Sequence, residues 1–335
     1  GKERKNMEFV VFAGVLLLLF IFMIVQELIQ TKNQEKLFKK YLRENYGKEP
    51  PKEYSLERFA RLGSYLERHK EEKQLDDITW NDLGMDEVFR RIDRTYSAAG
   101  EEYLYYTLRN ISCGREALEH LEEVVNWLQE QENIKVRIQL LMKRLGHLGK
   151  YSLYDYLDNL DYLGERSNRK IVLGNLLYLP FLLLLFVQPA MGTIGIVLCM
   201  LWHIMTYFRE KKVIEPYIIS FAYVLRLIDV CEELEKQKIP VYRRELDELR
   251  EALKSLRELR RGAYWVMAGN QGKIGGNPLD ILADYLRMIL HLDIFQFNRM
   301  LEKLRKKTGQ VETMLAITGY LDMAISVGGF RKSLE

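Results

Sequence analysis

Three observations predict an all-α protein of long packed helices, with an N-terminal transmembrane helix and an inserted transmembrane helical hairpin. Seven prolines in 335 residues leave long uninterrupted stretches. No soluble run shows the period-two alternation of Val, Ile and Thr that strands require. Apolar residues pool in two places, while the rest of the chain is rich in Glu, Lys, Arg, Leu and Tyr. With 48% hydrophobic and 29% charged residues and a formal charge of +3, disordered, collagenous and disulfide-scaffold classes are excluded. Cys113, Cys199 and Cys231 lie far apart with no C-x-x-C pair, so they read as reduced structural thiols, and no zinc site is expected.

The elements follow in chain order. Residues 1–30 hold the first apolar pool, MEFVVFAGVLLLLFIFMIVQEL from Met7 to Leu28, about the length needed to cross a bilayer as a helix. A cleaved signal peptide is the alternative. Against it, the run exceeds an ordinary h-region, and Gln26, Glu27, Leu28, Ile29 and Gln30 offer no small-x-small cleavage site. Residues 31–74 read as a cytoplasmic helical linker. Residues 75–170 open the soluble helices, where Leu118, Leu121, Val125 and Leu128 share a face at helical spacing.

The second pool, residues 171–208, contains no Asp, Glu, Lys or Arg. Gln188-Pro189 and Met191-Gly192 interrupt it, so two arms of 17 and 18 residues are expected to form a tight membrane hairpin. A buried core pair or a re-entrant loop is the alternative, because each arm is near the short limit for spanning. In residues 209–335, Leu246, Leu249, Leu253 and Leu256 make a stripe within Arg243 to Arg261, the pattern of a coiled-coil arm. Leu279, Leu282, Leu286 and Leu290 make a third stripe, opened by Asn277 as N-cap and Pro278 at the first helical position.

Flanking charge sets orientation. Arg166, Arg169 and Lys170 precede the hairpin and Arg209, Lys211 and Lys212 follow it, which places both ends in the cytoplasm. Lys32, Lys36, Lys39, Lys40 and Arg43 outnumber Lys2, Arg4 and Lys5, so the amino terminus is expected outside. The expectation is a multi-pass protein of the cell membrane with cytoplasmic soluble parts and the lipid bilayer as a partner.

One stretch carries more than periodicity. In Asp93-Arg94-Thr95-Tyr96-Ser97-Ala98-Ala99-Gly100, Ser97 can cap the following helix, Glu101 adds a favourable first-turn charge, and Leu104 and Leu108 share a face. Asp93-Arg94-Thr95-x-Ser97-x-x-Gly100, followed by Leu104 and then Leu108-Arg109, resembles the D-x-T-x-T/S-x-x-G-x-x-x-L-x-x-x-L-R stretch that opens the core helical domain of MutS-family DNA mismatch-repair ATPases. Near the other end, Leu321-Asp322-Met323-Ala324-Ile325-Ser326 resembles the L-D-x-L-x-S/A end of that family's long lever helix. The resemblance covers about residues 75–330 apart from the hairpin, and it is to the bacterial membrane-anchored relatives above all. It implies a MutS core/lever-like fold in a dimeric ATPase, with DNA as partner and ATP and Mg bound by a following ATPase domain. The helices from Asp93 to Arg109 and from Pro278 to Ser326 would then transmit motion.

The pattern departs from the family at several points. Gly269-Asn270-Gln271-Gly272-Lys273-Ile274 lacks the first Gly of a phosphate loop and the hydroxyl after Lys273, so no cofactor site is expected in this chain. The family's mismatch-reading Phe-x-Glu finds a match only in Phe208-Arg209-Glu210, at the expected membrane boundary, where it reads as coincidence. The hairpin falls near the place where the family's clamp reaches DNA. The chain starts at Gly1 and stops at Glu335, where the ATPase domain would begin, and so reads as a fragment.

Arg243, Arg244, Arg257, Arg260 and Arg261 are the candidate contacts to DNA or lipid phosphates, although interleaved acids make a solvated helix face the competing reading. Lys303, Arg305, Lys306 and Lys307 form a second basic cluster, suited to lipid headgroups or to their own helix end. His69, His120, His147, His203 and His291 are scattered in sequence without a nearby nucleophile or metal motif. No catalytic residue and no small-molecule substrate are expected here. Two functions remain: the core/lever module of a membrane-anchored MutS-like ATPase, or a membrane-anchored coiled-coil scaffold that binds neither DNA nor nucleotide.

Overall fold

The computed structural model describes residues 22, 25–26, 29–48, 54, 56–70, 73–111, 114–149, 152–260 and 285–335. The chain divides into two units, Gly1–Lys48 and Glu49–Glu335. In the first, residues 29–44 form α1, a largely exposed helix with Leu42 buried and the i,i+4 pair Glu35–Lys39 at 2.6 Å. Of the apolar run Met7 to Leu28, Phe22, Val25 and Gln26 are described, all helical and exposed, and the rest lies outside the described residues.

The regular elements described in the second unit are helices. It runs through α2 (Leu56–Arg68), α3 (Asp77–Asp82), α4 (Met85–Ile92), α5 (Ala98–Arg109), α6 (Arg115–Glu130), α7 (Glu132–Leu145) and α8 (Leu153–Asp158). It continues through α9 (Arg169–Leu176), α10 (Tyr178–Val187), α11 (Pro189–Glu235), α12 (Arg243–Leu256), α13 (Leu292–Arg305) and α14 (Thr308–Lys332). The described residues contain no strand; an isolated bridge, Gln74 to Asn110, ties the approach to α3 to the end of α5.

Among the described residues, three helical stretches are long and apolar enough to cross a membrane: Arg169–Val187, Pro189–Glu235 and Thr308–Lys332. Where their apolar surface goes separates them. In α14, 72% of the apolar window is buried inside the protein, against α5, α12, α6, α7 and α11, so its hydrophobicity is that of a central core helix. In the Arg169–Val187 stretch none of the window is buried, and in α11 28% is. Leu183, Phe186 and Met205 are 69%, 89% and 73% exposed there, a contiguous apolar girdle of the kind a water-facing surface avoids.

Local chemistry shapes this hairpin. Pro180 lacks the N–H that would bond the Leu176 carbonyl, and the first arm divides there into α9 and α10. Gln188 turns the chain, and Pro189 starts α11 at a position where a missing N–H costs nothing. The arms then meet on glycine: a Cβ on Gly192 would stand 2.7 Å from the Leu185 nitrogen, and one on Gly195 2.1 Å from the Phe181 ring.

The second arm does not end at the girdle. The 47 residues of α11 extend over ~70 Å at 1.5 Å per residue, so the helix continues into the soluble body. There Ile214, Phe221, Leu227, Ile228, Cys231 and Leu234 are buried. Helix α12 packs against both α14 and α11, with Leu246, Leu249, Leu253 and Leu256 on the buried side. The expected coiled-coil arm is therefore corrected: the stripe is filled inside the same unit. Of the third stripe, Leu279 and Leu282 lie outside the described residues with Asn277 and Pro278, while Leu286 is exposed and Leu290 half-buried in the helical stretch 285–290. Gly269 to Ile274 also lie outside them.

Candidate functional site

The motif Asp93 to Arg109 and the segment Leu321 to Ser326 meet in the core, far apart in sequence, as a buried polar clamp between the α4–α5 connection and α14. Asp93, Thr95, Ser97, Asp322 and Ser326 are all at most 1% exposed. Burial at that level requires every polar atom to find a partner, and here the partners are one another. The Asp93 carboxylate accepts from the Thr95 N–H at 3.0 Å and the Thr95 hydroxyl at 2.6 Å, and it also takes the Tyr54 hydroxyl. Burial and the facing Asp93 charge hold the Tyr54 hydroxyl protonated, its pKa pushed far up.

Asp322 closes the other half. Its Oδ2 accepts from the Tyr96 N–H at 3.0 Å, the Ser97 N–H at 2.8 Å and the Ser97 hydroxyl at 2.6 Å. The same hydroxyl oxygen accepts from the Gly100 N–H at 3.1 Å, so Ser97 caps α5 and binds α14 with one atom. One helical turn on, the Ser326 hydroxyl accepts from the Arg94 N–H and donates to the Ile92 carbonyl, both at 2.7 Å. This closeness requires two glycines. A Cβ on Gly100 would stand 2.4 Å from Asp322 Oδ2, and one on Gly319 2.6 Å from the Ala99 carbonyl oxygen.

The remaining motif residues anchor α5 on its other sides. Leu104 is 1% exposed in a cluster with Leu62, Trp80, Phe89 and Met323, and Leu108 packs on its edge. The Arg109 guanidinium stacks over Trp80 at 4.3 Å and Tyr105 at 5.0 Å, and donates to the Leu75 carbonyl at 3.0 Å and to Asp77 at 2.8 Å. Arg94 lies over the Phe330 ring at 5.7 Å.

Two neighbouring groups have partners that the sequence does not signal. Glu101, fully buried, is held by Arg58 and by Arg61, whose Nη2 lies 2.7 Å away. Glu102 accepts the Ser152 hydroxyl at 2.8 Å, and burial pushes its carboxyl up to about 8, with the Ser152 bond and the Arg61 charge pulling the other way. Their partners lie 40 or more residues distant, and a Glu-Glu pair in a first helical turn carries no mark of that.

A second polar cluster sits at the charged end of the hairpin. His203 and His291, 88 residues apart in sequence, have ring centroids 5.3 Å apart. The Tyr207 hydroxyl donates to Asp293 at 2.8 Å, and the Asn168 amide donates to the Phe295 carbonyl at 3.0 Å. His291 has φ of 53°, a left-handed conformation that a non-glycine residue adopts at some cost. Both histidines are buried and packed against each other, an approach that no sequence spacing signals.

The basic candidates fare differently. Arg243, Arg244 and Arg257 are exposed. Arg244 pairs with Glu248 at 3.4 Å, while the neighbouring Arg250 pairs with Asp247 and Glu235, both at 2.7 Å. The side chain of Arg260, and Arg261 altogether, lie outside what is described. In the second cluster Arg305 donates to the Leu160 and Gly164 carbonyls and Lys307 to the Ser255 carbonyl, so these two tie elements together, while Lys306 pairs with Glu302 on its own helix. Phe208-Arg209-Glu210 lies inside α11 with Phe208 on the exposed girdle. Among the described residues no group of His, Cys, Asp and Glu is placed to hold a metal ion. No protein-family profile, no curated protein and no solved structure matches this chain. The clamp's carboxylates each accept several donors, and the arrangement fixes α14 against the α4–α5 connection.

Proposed function

We propose that this chain is the helical coupling module of a multi-pass cell-membrane protein. Its hairpin would cross the bilayer, its soluble helices would lie in the cytoplasm, and its clamp would hold the ends of a lever together. The observation that carries the reading is one of continuity: α11, with Pro216 inside it, runs as one helix from the exposed apolar girdle into the core that surrounds α14, and α14 is fastened by Asp322 and Ser326 to the connection before α5. A displacement of α14 is thereby passed to α5 and α11 as rigid bodies, because packed interiors transmit strain and do not absorb it.

Two uncharged arms of ~26 and ~30 Å, counting residues 171–187 and 189–208, come close to the ~30 Å hydrocarbon core. The cations Arg166, Arg169, Lys170, Arg209, Lys211 and Lys212 at both ends favour the cytoplasmic side. The resemblance of the clamp's two halves to the MutS core and lever supports the more specific form of the proposal. In it the module belongs to a homodimeric, DNA-repair-type ATPase. ATP and Mg act at a further C-terminal domain, and the lever couples nucleotide state to DNA or partner binding. Mutual ion pairing on α12 favours a second reading, a membrane-anchored scaffold, since charges neutralised by their own helix are not available to phosphates.

Duplex-DNA binding by the chain in nanodiscs, titrated with salt, separates the two. About four phosphate contacts predict a loss of roughly 100-fold between ~50 and ~200 mM salt, flattened by alanine at Arg243, Arg244, Arg257 and Arg260. No binding at ~50 mM salt rejects the DNA-linked form and leaves the scaffold.

A further inference from the structure

Where α9 and α11 meet α13, at the charged end of the hairpin, lies a cavity of about 390 Å³. Its composition is two-sided. Ile171 and Trp202 come from the two arms whose apolar surface faces outward, and Trp202 is 51% exposed, the placement of an aromatic at a membrane–water boundary. Arg166, Lys170 and Arg209 line the same cavity, with Glu165 and Glu210 beside them. Glu210 is taken up by Arg166, which also donates to Asn298 at 3.0 Å. Lys170 and Arg209 have no ion pair among the described residues, so two cations face one remaining carboxylate, Glu165.

The inner wall adds a directional group. His203 is 1% exposed, and its Nδ1 lies 3.0 Å from the Cys199 carbonyl oxygen. A carbonyl only accepts, so the proton sits on Nδ1, and Nε2 of the neutral ring is an acceptor. That atom faces the gap kept open by Gly174, 3.1 Å from where a Cβ would stand, and has no hydrogen-bond partner among the described residues. A buried acceptor, two unpaired cations and an apolar flank together describe a ligand with a phosphate, a hydroxyl and acyl chains.

We infer that this cavity seats the headgroup of an anionic, hydroxyl-bearing phospholipid, with the phosphate on Lys170 and Arg209 and a headgroup hydroxyl donating to His203 Nε2. The inference rests on the membrane placement of the hairpin. A soluble phosphate ester offers the same polar chemistry without the acyl chains, and the apolar flank favours the lipid.

The test uses the detergent-purified chain and native mass spectrometry with phosphatidylglycerol or phosphatidylcholine, alongside flotation with phosphatidylcholine vesicles. Flotation tests the membrane placement by itself. The expected result is preferential binding of phosphatidylglycerol by the parent protein, reduced roughly tenfold in the Lys170→Gln, Arg209→Gln double variant, with flotation unchanged in both. A parent that floats but binds both lipids equally, or a double variant that keeps the preference, overturns the site and leaves the membrane placement standing. A parent that does not float overturns both. Glycerol phosphate that binds as tightly as the lipid, and is lost in the same variant, overturns the lipid assignment in favour of a soluble ester.

Discussion

Gly100→Ala places one methyl group where α5 crosses α14. The added Cβ would stand 2.4 Å from Asp322 Oδ2 and 2.6 Å from Asp322 Cβ, well inside van der Waals contact. Either α5 backs away from α14 or Asp322 leaves its rotamer and drops donors from Tyr96 and Ser97. Overpacking of this kind costs ~1–3 kcal/mol, and a lost hydrogen bond to a carboxylate ~1.5–3 kcal/mol. Alanine returns ~1 kcal/mol in helix propensity, so the net loss is about 2–5 kcal/mol, or a melting midpoint roughly 5–15 °C lower. Gly63→Ala is the control. It lies in α2 with nothing within 4 Å of its Cβ position, and should gain ~0.5–1 kcal/mol. Thermal unfolding of both variants in the same nanodiscs decides the matter, and a Gly100→Ala protein melting at or above the parent would refute the tight crossing.

Other predictions follow from the same geometry. Glu102 keeps its proton up to about pH 8 when folded and loses it near 4.5 when unfolded, so the folded state holds the extra proton between those values and stability falls as pH rises from ~5 to ~8. The full loss is on the order of 5 kcal/mol, and Glu102→Gln, which can still accept from Ser152, should flatten a plot of melting midpoint against pH; parallel profiles would contradict it. Ser326→Ala removes the bridge between the Arg94 N–H and the Ile92 carbonyl and should cost ~1–2 kcal/mol in chemical denaturation. Arg109→Lys keeps the charge but loses the planar stack on Trp80 and Tyr105, and should destabilise by about 1–2 kcal/mol in the same assay, where an unchanged midpoint would count against the stacking. Gly192→Val, with its backbone clash against Leu185, should part the hairpin arms and lower the yield of monodisperse protein in detergent, while Gly309→Ala, in open space, should not.

How much of this was legible in the sequence differs by element. The helical class and the hairpin were, because periodicity, scarce proline and an uncharged run are local signals that no distant contact overrides. Ser97 as a cap was also legible, since a cap acts within one turn. The leucine stripe of α12 was legible as a stripe, but its partner was not: a coiled-coil seam and a core-facing helix bury the same positions, and only α14 and α11 beside it distinguish them. Hydrophobicity misleads in α14, whose composition suits a bilayer while its surroundings are protein. The pairing of Ser97 with Asp322 spans 225 residues and that of His203 with His291 spans 88, distances at which residue spacing carries no information. Asp322 and Ser326 stood out in the sequence by their resemblance to a lever-helix end; the reason they must be polar emerges only where the α4–α5 connection brings its N–H groups to them.

The most direct test of a membrane-anchored lever asks on which side of the bilayer the two ends of the hairpin lie. Gln188→Cys at the turn and Lys212→Cys beyond the second arm, in vesicles with the soluble body outward, are treated with a membrane-impermeant maleimide before and after permeabilisation, and labelling above the parent protein is counted. The expected result is immediate labelling at 212 and labelling at 188 only after permeabilisation, since the ~36 Å of helix between them crosses the hydrocarbon core. Equal labelling of both in intact vesicles would place the hairpin on one side and contradict the anchor on which the lever turns.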